Sequence, residues 1–320
     1  MKINFKILVI LFFLFLGGSS TLVHALGSSD VNGDGKVDFS DLVSVIRQFT
    51  TSGTQPADVD QNQKVNSLDL TYVFKSFASI TPPPSTPTPT GSTGCTYPSQ
   101  ILNLTNWKIT LPTGSSGSPT EILQPSLATY TIDPYFKVNS NCTGVQFRAP
   151  TNGVTTSGSG YPRSELREMA NNGTTLASWS TTSGTHTMII DQAIMAVPTG
   201  KKHVVAGQIH DASDDVIVIR LEYPKLFIDI NGNDGNILDS NYTLGKRFTV
   251  KFVATGGSIS VYYNNSPTPA QTISKSTTGC YFKAGAYTQS NCSTESSNGA
   301  TCGANNYGEV HIYNVMVTHQ

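Results

Sequence analysis

The run Ile80-Thr-Pro-Pro-Pro-Ser-Thr-Pro-Thr-Pro-Thr-Gly-Ser-Thr-Gly94 cuts this chain in two. Each proline fixes its own φ and withholds a backbone donor. A stretch so rich in Pro and Thr prefers extended polyproline conformation and holds too little apolar surface to join a core. Residues 80–94 are therefore a semi-rigid spacer, and the segments on either side must fold separately. The boundaries that follow are 1–25, 26–79, 80–94 and 95–320.

The first of these segments is not part of any fold. Lys2 and Lys6 precede an unbroken apolar run from Ile7 to Leu16, and Val23-His24-Ala25 ends in a small residue. This is the pattern of a secretory signal peptide cut near Ala25. The alternative, an uncleaved membrane anchor, needs a longer span. A secreted, extracellular destination also permits disulfides. The five cysteines, Cys95, Cys142, Cys280, Cys292 and Cys302, all follow the spacer. Cys292 and Cys302 flank a Ser/Asn/Gly loop and are the first candidate pair; Cys95 with Cys142 is the second. The odd count leaves one thiol over. With no Cys-x-x-Cys pair, zinc and redox centres are not indicated.

Residues 30–79 contain an internal repeat. One copy runs Asp30-Val-Asn-Gly-Asp-Gly-Lys-Val-Asp-Phe-Ser-Asp41 into an apolar helix pattern over 42–49. The other runs Asp58-Val-Asp-Gln-Asn-Gln-Lys-Val-Asn-Ser-Leu-Asp69 into a similar pattern over 70–77. Calcium takes six to eight oxygens, which such a loop supplies from positions 1, 3, 5, 7, 9 and 12. The first set is Asp30, Asn32, Asp34, the Lys36 carbonyl, Asp38 and Asp41. The second is Asp58, Asp60, Asn62, the Lys64 carbonyl, Asn66 and Asp69. Gly35 occupies the sharp turn of the first loop; Gln63 replaces it in the second, which points to a weaker or distorted site. The pair resembles the dockerin family, whose members attach enzymes to cohesin-bearing scaffolds. A calcium-stiffened spacer without a cohesin partner is the plainer reading.

Residues 95–320 are dominated by period-two alternation. Runs at 216–222, 226–230, 248–254, 259–263 and 310–317 are separated by turn signals such as Asn231-Gly-Asn-Asp-Gly235 and Asn264-Asn265. Many short strands at this spacing predict an all-β sandwich or barrel, and the length suits a jelly-roll sandwich with a groove on one sheet. Only 13% of residues are charged and the net charge is -1, so no strong field marks nucleic acid as a partner.

Three segments place polar residues on one strand face, because side chains two apart share a side. In Tyr161-Pro-Arg-Ser-Glu-Leu-Arg-Glu168 these are Arg163, Glu165 and Arg167. Two guanidiniums suit carboxylate ligands, with Glu165 between them to orient both. Such a row is costly to bury, so it should face solvent or a ligand; a solvated salt-bridge ladder is the bland reading. In Val204-Val-Ala-Gly-Gln-Ile-His-Asp211, Val205 and Ile209 are read as pointing one way and Gln208 and His210 the other. Histidine suits proton transfer near neutral pH, although a lone strand histidine is more often structural. In Tyr281-Phe-Lys-Ala-Gly-Ala-Tyr-Thr-Gln289, the residues Tyr281, Lys283, Gly285, Tyr287 and Gln289 share one face. Phe282, Ala284 and Ala286 form a core face, and Gly285 leaves room beside the polar row.

Together, and in this order, the three segments resemble polysaccharide lyase family 7, the alginate lyases. Leu104-Thr-Asn-Trp-Lys-Ile-Thr-Leu-Pro112 and Val145-Gln-Phe-Arg-Ala-Pro150 extend the likeness across residues 95–320. The resemblance implies a jelly roll with a substrate groove, Arg163, Gln208, His210 and Tyr287 as the catalytic set, and Glu165, Arg167, Lys283 and Gln289 in support. It implies cleavage of a mannuronate/guluronate polymer by β-elimination, endolytic, with no metal required for the reaction. Loss of the C5 proton beside a C6 carboxylate builds negative charge, which Arg163 and Gln208 would stabilise. His210 or Tyr287 would take the proton, and Tyr287 would return one to the leaving O4. Family trends tie the isoleucine at 209 to guluronate-containing substrate.

Two other readings compete. A glycoside hydrolase needs a pair of carboxylates across the bond, whereas Glu165 shares its face only with arginines. A non-catalytic carbohydrate-binding sandwich leaves the Arg/Gln/His/Tyr combination without a purpose. A monomer is the default expectation.

Overall fold

The computed structural model describes residues 28–33, 37, 39–49, 52, 53, 55–78 and 95–320. The signal segment, the spacer, and Asp34, Gly35, Lys36 and Asp38 of the first loop lie outside the described residues. The chain divides into two compact units, Met1–Gly91 and Ser92–Gln320.

In the first unit, α1 (Phe39–Arg47) and α2 (Ser67–Ala78) each follow a loop. Their shared core repeats position by position: Val31 matches Val59, Val37 matches Val65 and Val45 matches Val73, with Ala57 added. Asp41 and Asp69, in the first turn of each helix, are fully buried. Gln63 makes the second loop's turn at φ 67, in the left-handed region, and Gln61 sits there as well at φ 55. Glycine would take that conformation without the Cβ penalty.

The second unit is an antiparallel sandwich. Its strands are β1 (Trp107–Ser115), β2 (Ser118–Ile122), β3 (Phe136–Val138), β4 (Val145–Pro150), β5 (Arg163–Ala170), β6 (Thr175–Leu176), β7 (Thr185–Ala196) and β8 (His203–His210). They continue as β9 (Asp215–Glu222), β10 (Lys225–Ile230), β11 (Asn233–Asp239), β12 (Phe248–Thr255), β13 (Ser258–Tyr263), β14 (Gln271–Ser274), β15 (Tyr281–Thr288) and β16 (Tyr307–His319). One sheet runs β11-β10-β9-β8-β15-β5-β1-β2, with β6 beside β5; the other runs β14-β13-β12-β7-β16-β4-β3. A short helix, α3 (Cys292–Ser297), joins β15 to β16. Inner faces of the two sheets supply one core that includes Phe136, Phe147, Phe248, Phe252 and Phe282. Fully burying each such side chain contributes about 1.5–3 kcal/mol.

All five expected runs are strands. Asn264 and Asn265 make their turn with both residues left-handed, as the Asn-Asn pair favours. The expected turn over 231–235 is shorter than read, because β11 begins at Asn233 and pairs with β10. Cys95–Cys142 and Cys292–Cys302 are the disulfides, and Cys280 is the free, buried thiol.

Candidate active site

The three polar segments become three adjacent strands, β8, β15 and β5, at the middle of the larger sheet. Register sets their polar residues side by side. Lys283 lies opposite both Arg167 and Gln208, Gly285 opposite Glu165, Tyr287 opposite Arg163, and Tyr281 opposite His210. Gly285 has φ +142, and a Cβ there would stand 2.5 Å from the Ser164 carbonyl oxygen. Only glycine lets β5 and β15 approach this closely, and a Cβ there would also stand 3.1 Å from the Phe147 ring in the core.

On β8 the simple alternation fails, and the failure builds the site. Gly207, at φ +109, interrupts the register between Val205 and Gln208. The extra residue is a β-bulge, which re-aims the side chains before it. Val204, Ala206 and Ile209 enter the core, whereas Val205 joins Gln208 in the cleft lining. Val205 and Ile209 therefore face opposite ways, contrary to the period-two expectation.

Glu165 is the hub. Its side chain is 0% exposed, and it takes hydrogen bonds from Arg163 Nη1 at 3.1 Å, Lys283 Nζ at 2.6 Å and Gln208 Nε2 at 2.6 Å. Burial alone would raise its carboxyl, but Lys283 and Arg163 outweigh that and hold it below the ordinary value. Lys283 is pulled down to about 8, first by burial and then by the nearby Arg163 charge, with Glu165 opposing. The row expected to face solvent or a ligand is thus largely buried, and each charged group in it is hydrogen-bonded to a carboxylate or carbonyl oxygen or to an amide. Glu165 does not orient both arginines. Arg167 instead donates to the Glu168 and Ala177 carbonyls and lies over the Tyr281 ring at 3.9 Å.

His210 and Tyr287 lie on either side of this hub in the strand register. His210 Nδ1 is 2.7 Å from the Asp211 carbonyl, and its ring stacks on Tyr281 with centroids 5.1 Å apart. A carbonyl can only accept, so Nδ1 carries the hydrogen and Nε2 keeps a lone pair in the neutral ring. Burial lowers the His210 pKa, aided by Lys283 and opposed by the Asp211 carbonyl, which favours the neutral ring. The Tyr287 hydroxyl is 2.8 Å from Ser159 Oγ, and the Arg163 guanidinium covers the Tyr287 ring at 3.9 Å.

A cleft of about 220 Å³ is lined by Tyr161, Val205, Gln208, Tyr287 and Gln289 together with Asp214, Asp215, Arg220 and Asp229. Burial and the neighbouring Asp214 push Asp215 up to about 6. Lys201 donates to the Tyr161 hydroxyl at 3.1 Å, which lowers the Tyr161 pKa. Sequence reasoning missed Ser159, Lys201, Arg220 and these aspartates, because they arrive from loops and from β9 and β10, outside the three segments. A larger hollow of about 640 Å³ lies around Trp107, Glu168, Trp179, His186 and His319. It includes none of the polar residues assigned to the site, and Glu168 there faces away from Glu165.

Residues 102–319 match the family model described as alginate lyase. The chain belongs to the alginate lyase family. Residues 28–78 match the dockerin type I domain. The alginate lyase from Corynebacterium sp. is 55% identical, with a TM-score of 0.67 over 71% of this chain and 99% of that one. Alginate lyase AlgAT5 of polysaccharide lyase family 7 is also 55% identical, with a TM-score of 0.65 over 70% and 99% of the two chains. The marine enzyme AlyA1 from Zobellia galactanivorans is 29% identical, with a TM-score of 0.57 over 71% and 100%. No curated protein matches the chain. The second unit is therefore a jelly-roll polysaccharide lyase that degrades alginate, carried behind a dockerin domain.

Proposed function

We propose that Arg163, Gln208, His210 and Tyr287 carry out the β-elimination, with Glu165, Lys283, Arg167 and Gln289 holding them and the substrate. The observation that carries this reading is the charge count at the hub. Arg163 and Lys283 supply two positive charges against the single negative charge of Glu165. One excess positive charge in a largely buried setting suits one C6 carboxylate, and it stabilises the charge that develops when C5 loses its proton. The second amide hydrogen of Gln208 is available to the same carboxylate. His210 Nε2, the lone-pair nitrogen, takes the C5 proton, and the Tyr287 hydroxyl protonates the departing O4. Ile209 points into the core, so it influences guluronate preference only through the packing beneath His210.

The chain is secreted in this reading. Disulfides at Cys95–Cys142 and Cys292–Cys302 fit an oxidising compartment, as does the N-terminal signal pattern. Calcium fits the second dockerin loop. Asp58, Asp60 and Asp69 place carboxylate oxygens within 4.8 Å of one another, and burial, with repulsion from its two neighbours, raises Asp60. Such crowding is costly without a cation. Asn62, the Lys64 carbonyl and Asn66 complete that set; Asp30, Asn32 and Asp41 contribute to the other. The calcium would stiffen the loops that set α1 and α2 toward a cohesin-bearing scaffold, leaving the lyase domain a monomer that acts on alginate.

The test is absorbance of the conjugated, unsaturated uronate product, with alginate, polymannuronate, polyguluronate and pectate as substrates and a chelator in the buffer. Tyr287→Phe and His210→Ala should each lower turnover about a hundredfold or more, with product lengths spread over many sizes if cutting is endolytic. A variant that turns over at the wild-type rate removes that residue from the chemistry, and a rate that collapses with chelator removes the metal-free mechanism.

A further inference from the structure

We infer that Ser159 is a positioning residue for Tyr287, holding its oxygen in line for proton donation and giving a hydrogen bond to the phenolate left behind. The inference rests on the role proposed above for Tyr287. Ser159 belongs to the loop between β4 and β5, and its Oγ is the hydrogen-bond partner of the Tyr287 hydroxyl, at 2.8 Å.

The serine is itself held in place. Its backbone N–H donates to the Thr156 carbonyl at 3.1 Å, and the Tyr161 N–H donates to Ser159 Oγ at 3.2 Å. The next residue, Gly160, offers its carbonyl to Asn291 Nδ2 at 2.9 Å. Asn291 is fixed in turn as the N-cap of α3, where its side chain accepts from the Thr294 N–H. Lys201 pins the far side of the loop through the Tyr161 hydroxyl.

With one acceptor position filled by Tyr161, the Ser159 hydroxyl has a single hydrogen to give. The choices are the Tyr287 oxygen at 2.8 Å and the Tyr161 carbonyl at 3.3 Å. While Tyr287 is a phenol, Ser159 can donate to the Tyr161 carbonyl and accept from the Tyr287 hydroxyl. When the Tyr287 O–H bond breaks and the O4–H bond forms, the phenolate can only accept, and a rotation of one hydroxyl supplies a donor. Hydrogen bonds to charged groups are the stronger kind, so this contact is worth more after proton transfer than before it. Such an interaction raises kcat and leaves KM alone.

The experiment compares steady-state kinetics on alginate for the full chain and for Ser159→Ala, Ser159→Thr and Tyr287→Phe. With Tyr287→Phe inactive, Ser159→Ala should lower kcat about tenfold or more at unchanged KM, and Ser159→Thr, which keeps the hydroxyl, should recover most of it. Wild-type kcat in Ser159→Ala, an effect confined to KM, or no recovery in Ser159→Thr would overturn the inference while leaving Tyr287 in its role. Full activity in Tyr287→Phe would instead remove the Tyr287 reading, and this inference with it.

Discussion

Glu165 and Glu168 stand three residues apart on β5, and each is a buried carboxylate with every oxygen engaged. On the cleft face, Glu165 collects Arg163, Lys283 and Gln208. On the opposite face, Glu168 accepts from Trp179 Nε1 at 3.0 Å and the Phe282 N–H at 2.9 Å, and meets His319 Nε2 at 2.6 Å. His319 continues to His186 at 2.7 Å, and His186 reaches the Ser183 carbonyl. The second network ties β5 and β15 of one sheet to β7 and β16 of the other. Equal burial and equal chemistry thus serve different ends. A carboxylate among cations leaves net positive charge at a surface, whereas one among neutral donors and ring nitrogens joins layers.

The largest effect should come from Glu165→Gln. It removes the charge and leaves Lys283 and Arg163 buried side by side with nothing to balance them, so kcat/KM for alginate should fall about a hundredfold or more. A value near that of the wild type would mean that the cations need no hub. The pH dependence comes next. Above about 8 Lys283 loses its proton, the excess positive charge goes with it, and KM for alginate should rise several-fold by about pH 9. Stability should move the other way for this group. A lysine depressed from 10.5 to about 8 in the fold binds fewer protons there than in the unfolded chain between those values, so its contribution to stability rises with pH across that window. Glu165 has the opposite sign. Its folded carboxyl lies below the ordinary 4.5, so its stabilisation is complete above that value and is lost as pH falls through the folded one. Thermal unfolding followed from pH 3 to pH 9 separates these contributions.

The smallest effect on turnover should come from Glu168→Gln. It should lower unfolding free energy by about 1–3 kcal/mol and leave kcat/KM at 25 °C close to wild type. An activity loss matching that of Glu165→Gln would erase the contrast between the two faces.

Much of this was legible from residue order, and the parts that were not have identifiable causes. Arg163, Glu165, Lys283 and Tyr287 share a face because β5 and β15 pair with each other in unbroken register. Pairing of those strands with β8 is non-local, yet the polar faces had only one groove to share. Val205 was misplaced because Gly207, an ordinary small residue in sequence, is a bulge in the fold. The burial of Glu165 was hidden for another reason. A charged row appears solvated until the counter-charges from a neighbouring strand are known, and Lys283 lies more than a hundred residues away. Ser159 had no periodic signal at all, since loop geometry decides where it points.

Cys280 has a consequence for handling the protein. It lies wholly inside the sandwich, and burial pushes its thiol up to about 11. Thiol–disulfide exchange requires an accessible thiolate, and the folded domain offers none at this position. The other cysteines are already committed to intrachain bonds. Covalent dimers on a non-reducing gel would therefore be a chemical trace of molecules that had opened, and their rate of appearance a clock for unfolding.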